Sequence, residues 1–238
     1  MRILALIDDV FICDGLRQII NNKLGDKVKI DYRFSYNLAH KETKYYKPIN
    51  IKEKADIVAQ KYDLIFSLCS QIFPEKIVKT VRCINFHFGI LPYACGVLPI
   101  TFSIVNNIPL GITVHLMDEK IDNGDIIYQE KIENNGYDTV KDIEKKCQTK
   151  LIEILDKHIL DIIYKKYKTK KAKGKRVYYS LNDFKKLCKI DLNKQKTAGE
   201  IINTLRALQF NDNGEAYFVS KSGDVISISI GLNKRSRK

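Results

Sequence analysis

Short, predominantly apolar runs recur along this chain with amphipathic segments between them, and that alternation limits the fold more than any other feature. Arg2 to Asp8, Asp63 to Leu68, Cys83 to His87 and Gly111 to Met117 are such runs. Each is rich in Ile, Leu, Val or Phe and is of strand length. Between them, Asp14 to Lys23 places Leu16, Ile19 and Ile20 on one helical face, Ile51 to Gln60 reads as helix, and Pro74 to Val81 opens with proline at a first helical position. Val28 to Phe34 alternates apolar with polar residues, so the chain begins strand, helix, strand. Strands that are apolar on both faces must be covered on both faces. The expected fold class is therefore α/β, a Rossmann-like, mainly parallel sheet flanked by helices.

The glycines exclude one large group of ligands. The first strand leads into Asp8-Asp9-Val10-Phe11-Ile12-Cys13-Asp14-Gly15, with no Gly-x-Gly-x-x-Gly and no Gly-Lys-Ser/Thr. Nicotinamide cofactors and nucleoside triphosphates are not expected. Further on, Thr139 to Tyr164 carries apolar residues at spacings of three and four, from Val140 and Ile143 through Cys147 and Leu151 to Ile162/Ile163, and predicts one long amphipathic helix. Ala198 to Phe210 predicts another. Ala216 to Val219 and Val225 to Ile230, around Ser222-Gly223-Asp224, predict a hairpin. The expected organisation is a main domain over 1–165, a lysine-rich linker over 166–176, a small C-terminal region with a helix and a β-hairpin over 177–232, and a basic tail over 233–238.

The formal net charge of +13 resembles a nucleic-acid signal until it is located. Residues 165–176 hold eight basic and no acidic residues, and residues 234–238 hold four more; removing these twelve from 41 leaves 29 basic against 28 acidic. The body is thus nearly neutral, and nucleic acid is not the expected partner. The six cysteines form no Cys-x-x-Cys pair and suggest neither a metal site nor a disulfide framework. No membrane segment or cleavable leader is expected either, so the reading is a cytoplasmic protein.

Polar groups converge at the end of one apolar run. In Ile84-Asn85-Phe86-His87 the amide and the imidazole stand two residues apart, so on a strand they face the same side and reach one substrate atom. The sheet reading places them at a carboxyl end, where open α/β folds bind ligands. Asp122-Asn123-Gly124 reads as a turn after the Gly111 to Met117 strand, able to return a carboxylate to that pair. An amide donor, an imidazole and a carboxylate are the groups acyl transfer needs.

Asn85-Phe86-His87, Leu91-Pro92 and Gly96, then His115 with Asp122 seven residues later and Gly124, resembles the Asn-x-His and His-x6-Asp-x-Gly pattern of the folate-dependent formyltransferases. The layout matches over residues 1 to about 135. The resemblance implies that Asn85, His87 and Asp122 are catalytic, and that N10-formyltetrahydrofolate lies against Ser70, Ile72, Met117, Glu119 and Asp122 as co-substrate, with no metal. His115 matches a family position as well; inside a strand it reads as structural. The region after residue 176 looks like the C-terminal part of sugar N-formyltransferases, closest to the dTDP-4-amino-4,6-dideoxyglucose type. That implies a nucleotide-linked amino sugar as partner, with Arg206 at its pyrophosphate, Phe210 and Tyr217 on its base, and a homodimer built through the terminal hairpin. Rival readings are a methionyl-tRNA formyltransferase, a purine-synthesis transformylase and, from another class, a non-enzymatic RNA-binding module. Too little chain follows the lysine run for the barrel domain of the first, and the near-neutral body argues against the last.

Overall fold

The computed structural model describes residues 1–36 and 46–235. The expected basic tail therefore extends, over residues 236–238, outside the described residues. In chain order the elements are β1 (Arg2–Ile7), α1 (Val10–Lys23), β2 (Lys29–Ser35), β3 (Lys47–Ile49), α2 (Ala55–Lys61), β4 (Leu64–Leu68), α3 (Glu75–Thr80), β5 (Arg82–His87), β6 (Cys95–Gly96), α4 (Pro99–Val105), β7 (Gly111–Leu116) and β8 (Ile126–Lys131). They continue with α5 (Val140–Ile163), β9 (Tyr178–Tyr179), α6 (Leu181–Cys188), α7 (Ala198–Ala207), β10 (Ala216–Val219) and β11 (Val225–Ile228).

Seven strands form one sheet in the order β3-β2-β1-β4-β5-β7-β8. The first five run parallel, and β7 pairs antiparallel to β5, so the fold is the expected α/β sheet, mixed at one side. Ile3 to Ile7, Leu64 to Phe66 and Ile84 are wholly buried, as continuous apolar strands between two layers must be. Helix α1 starts earlier than periodicity predicts, because Asp9 is its N-cap and its carboxylate accepts the Ile12 N–H at 2.9 Å. The capping bond recruits Val10 to Cys13, which read as loop, into the first turn.

The chain divides into two compact units. One comprises Met1–His87, Ile112–Gln129 and Gln148–Lys173; the other comprises Phe88–Gly111, Glu130–Cys147 and Gly174–Lys238. Two internal segments thus join the C-terminal one in the second unit. The cause is polar as well as apolar: the Thr101 hydroxyl donates to the Ala207 carbonyl at 2.9 Å, and the Arg206 guanidinium donates to the Asp138 carbonyl at 2.7 Å.

In the first unit, Arg82 at the start of β5 donates to the Ile162 and Ile163 carbonyls at 3.0 and 2.7 Å, satisfying the last carbonyls of α5 with a cation placed where the helix dipole favours one. The lysine run is largely exposed, and it is tied to the β7–β8 segment. Lys170 exchanges backbone hydrogen bonds with Ile126 at 2.9 and 3.0 Å, and Lys171 Nζ lies 2.6 Å from Asp125.

In the second unit, α6 and α7 each open on a capping box. The Ser180 hydroxyl accepts from Asp183 N–H and the Asp183 carboxylate accepts from Ser180 N–H, and Thr197 with Glu200 repeats the arrangement. The C-terminal region thus holds two helices where one was expected. The hairpin β10–β11 is antiparallel, with Ala216 opposite Ile228.

Candidate active site

The period of a strand does the first part of the work. Asn85 and His87 share one face of β5, and the register sets Asn85 opposite His115 and His87 opposite Thr113 in β7. A row of polar side chains thereby crosses two adjacent strands whose other buried residues are apolar. Gln129 extends it, donating to the Thr113 hydroxyl at 3.0 Å.

The turn after β7 does the rest. Asp122 adopts φ +50°, the left-handed region that aspartate enters more readily than most residues. Gly124 allows the turn to close: a Cβ there would stand 1.8 Å from the Leu116 carbonyl oxygen. The Asp-x-Gly spacing is thus a backbone requirement that places the carboxylate.

One oxygen, Asp122 Oδ1, is the hub. Asn85 Nδ2 donates to it at 3.2 Å, while His87 Nδ1 and His115 Nε2 each lie 3.6 Å away. Both separations are longer than a hydrogen bond, and each is an attraction only where the facing ring nitrogen carries a proton. The side chains of His87, His115 and Asp122 are 6%, 1% and 8% exposed, so the cluster is screened from bulk water while His87 and Asp122 retain a solvent-facing edge. At this spacing a protonated imidazole and the carboxylate attract by about 4–5 kcal/mol at an effective dielectric of ~20.

His115 carries more than a strand position. Its Nδ1 lies 2.7 Å from the Leu116 carbonyl, which only accepts, so Nδ1 holds the hydrogen. A neutral ring then offers the Nε2 lone pair to Asn85 Nδ2 at 3.2 Å. Both Asn85 amide hydrogens are thereby engaged, one on His115 and one on Asp122, and the orientation of the amide is set. Donation from Asn85 to a substrate oxygen exchanges one of these bonds for another, at little net cost. Sequence alone treats His115 as structural; the antiparallel register that sets it against Asn85 is a tertiary fact.

The segments expected to meet the co-substrate share one core cluster. Phe73 is buried in it with Leu4, Leu6, Ile51 and Ile77, and Met117 packs against it. Ser70 is tied to Asp8, and Ile72 is 72% exposed. Met117 and Glu119 line an open depression of about 320 Å³ with Val78, Lys79 and Asn123. Glu119 also pairs with Lys79 at 2.9 Å.

The residues expected at the nucleotide belong to the second unit. Phe210 stacks edge to face on Phe184 at 6.0 Å, and Tyr217 packs on the small core of Cys188, Leu208 and Ala216. Both are partly exposed. Arg206 differs from what its charge suggests. It is 2% exposed, and its Nε donates to Asn203 at 2.8 Å while one terminal nitrogen meets the Asp138 carbonyl at 2.7 Å and Asn134 at 3.4 Å. Through these bonds the guanidinium holds the 134–138 loop.

Comparison with known proteins agrees with this geometry. Residues 36–159 match the formyl transferase family model, and residues 183–234 match the model of the N-formyltransferase dimerization C-terminal domain. A dTDP-4-amino-4,6-dideoxyglucose formyltransferase of Mycobacterium tuberculosis is 31% identical over 184 residues, covering 77% of this chain and 79% of the relative. The crystal structure of a 4-N formyltransferase from Francisella tularensis superposes with a TM-score of 0.91 at 37% identity, covering 98% of both chains. WlaRD, a sugar 3N-formyl transferase crystallised in the presence of dTDP and 5-N-formyl-THF, superposes with a TM-score of 0.69 at 26% identity, covering 87% of this chain and 78% of the other. With the amide, imidazole and carboxylate gathered at one strand end, and both parts of the chain matched, this protein belongs to the formyl transferase family, enzymes that move one-carbon formyl groups.

Proposed function

We propose that this chain moves a formyl group from N10-formyltetrahydrofolate to the amino group of a dTDP-linked 4-amino-4,6-dideoxy sugar, of the dTDP-4-amino-4,6-dideoxyglucose type. The observation that carries the reading is the convergence of Asn85, His87 and His115 on Asp122 Oδ1, in a chain matched along nearly its whole length by a 4-N formyltransferase. The dimerization-domain match after the lysine run favours a sugar enzyme over a tRNA or purine-synthesis formyltransferase, and the catalytic cluster sets aside a bare RNA-binding module.

In the proposed reaction the neutral amine attacks the formyl carbon. As the new C–N bond forms, negative charge develops on the formyl oxygen, and an Asn85 N–H aimed there stabilises the transition state by about 3 kcal/mol. The amine proton passes to the His87–Asp122 pair, directly or through a water. Collapse of the tetrahedral adduct breaks the bond to the folate N10, which leaves with a proton. Asp122 holds His87 in a productive orientation, and His115 keeps the Asn85 amide turned inward.

The folate lies against Ser70 and Ile72 on one side and against Met117, Glu119 and Asp122 on the other. Phe210 and Tyr217 offer aromatic faces to the base, while Arg206 acts by holding the 134–138 loop. The hairpin joins two copies: Val219, Val225 and Ile226 are 39%, 67% and 42% exposed, an apolar ribbon that a lone two-stranded hairpin cannot bury by itself. The proposed setting is the cytoplasm, whose reducing conditions keep cysteines as thiols, and none of the six is in a disulfide; among the described residues no helix is long and apolar enough to cross a membrane.

The test is to supply N10-formyltetrahydrofolate with a panel of dTDP- and UDP-amino sugars and read formyl mass gain. A dTDP-4-amino sugar should gain it, and His87→Ala should not turn over while remaining folded. An active His87→Ala enzyme would refute the role assignment, and no gain on any sugar would refute the substrate.

A further inference from the structure

The loop after β4 is fastened from two directions. Asp8, the residue after β1, accepts the Ser35 N–H through Oδ1 at 2.7 Å, and through Oδ2 the Ser70 N–H at 2.8 Å and the Ser70 hydroxyl at 3.2 Å. Its own N–H donates to the Leu68 carbonyl at 2.7 Å. One carboxylate thus ties the ends of three adjacent parallel strands, β2, β1 and β4. Gln71 reaches the other way, accepting the Ile51 N–H at 2.9 Å and donating to the Ile49 carbonyl at 2.8 Å. Phe73, two residues on, is 8% exposed in the core cluster.

Between these anchors stands Ile72, 72% exposed. A slack surface loop would turn such a side chain inward, and a loop held at residues 70, 71 and 73 has no freedom to do so. The site is one strand away: Ser67 of β4 is the register partner of Asn85. A rigid apolar side chain displayed beside a catalytic cluster meets a flat ligand without having to be ordered on binding.

We propose that Asp8 and Gln71 are positioning residues that hold Ile72 as a fixed platform for the heteroaromatic ring of the formyl donor. The inference rests on the reading above that folate lies against Ser70 and Ile72, and it adds which residues outside that contact set its geometry. Asp8→Asn keeps size and removes one acceptor, setting an amide N–H against the Ser70 N–H; Gln71→Leu removes both of its bonds.

The experiment measures tetrahydrofolate affinity by calorimetry on the full chain, with steady-state KM and kcat for both substrates. Each variant should weaken tetrahydrofolate binding and raise the KM for N10-formyltetrahydrofolate about tenfold, with kcat and the amino-sugar KM within about twofold of wild type. Combined with Ile72→Ala, each should lose less than the sum of the two single losses, because the clamp acts through that side chain. Folded variants with unchanged folate KM would overturn the proposal, as would equal losses in kcat and both KM values accompanied by a lower melting temperature. Should Asp8→Asn fail to fold, Gln71→Leu and its cycle with Ile72 decide the matter. Wild-type protein that binds no tetrahydrofolate would overturn the folate reading itself, whereas wild-type binding with unaltered variants overturns only this step.

Discussion

The cluster around Asp122 and the helices α6 and α7 are organised on opposite principles. Each of those helices begins with a hydroxyl and an acid three residues apart, Ser180 with Asp183 and Thr197 with Glu200, so the bonds that start it lie within its own first turn. The cluster joins residues 30 and 37 positions apart, Asn85 to His115 and Asn85 to Asp122, and no short stretch of sequence contains it. Locally coded structure should fail locally and gently. Structure built across strands should fail together, taking the chemistry with it.

The sharpest break in that contrast is at the cluster. Asn85→Ala should lower kcat about 10²–10³-fold, the usual loss of one oxyanion donor, with circular dichroism unchanged. If kcat fell by less than tenfold, Asn85 would not be the donor. Next in size is Gly124→Ala. The 1.8 Å approach of the added carbon to the Leu116 carbonyl forces the turn away, so we expect about 2–3 kcal/mol less stability in urea melts and more than a tenfold loss of kcat as Asp122 is displaced. A soluble, fully active Gly124→Ala enzyme would show that the turn does not set the site.

Ser180→Ala should cost only about 1 kcal/mol and leave kcat unchanged, the signature of a local cap; the same melts and assays decide it. A comparable loss of kcat there would merge the two regions and end the contrast. The smallest effects are in pH dependence, and their signs differ. Bonds from the Ser180 hydroxyl and N–H hold the Asp183 carboxyl below its usual range, so that contribution is present at neutral pH and is lost as pH falls below about 4. Burial pushes the Cys13, Cys83 and Cys147 thiols from the usual 9.0 up to about 12. Their raised values make the opposite contribution, complete below pH 9 and lost as pH rises toward 12. Melting temperatures across both limbs check the signs, and these thiols should react with a thiol reagent at pH 8 only after unfolding.

How much of this is legible without coordinates follows from the same division. The apolar runs give β1, β4, β5 and β7 within a residue or two, because a buried strand needs only a short apolar segment. Asn85 and His87 are readable as one pair because the strand period is two. Helix α4 is not readable: Pro99-Ile-Thr-Phe-Ser-Ile-Val is apolar on nearly every side and rich in β-branched residues, so neither helical nor strand periodicity marks it. Strand β3 has three residues and joins β2 by register alone. The burial of Arg206 is not readable either, since a charge reads as a surface group unless its partners are known.

The sequence by itself determines the layered sheet, the polar pair at the end of β5 and the presence of a turn at Asp122-Asn123-Gly124, because each depends on neighbours within a few residues. Only the tertiary structure decides that Asp122 Oδ1 becomes the meeting point of an amide and two imidazoles, that His115 orients that amide, and that Arg206 turns inward. These depend on strand register and turn closure, whose energies come from contacts between segments that no local pattern links.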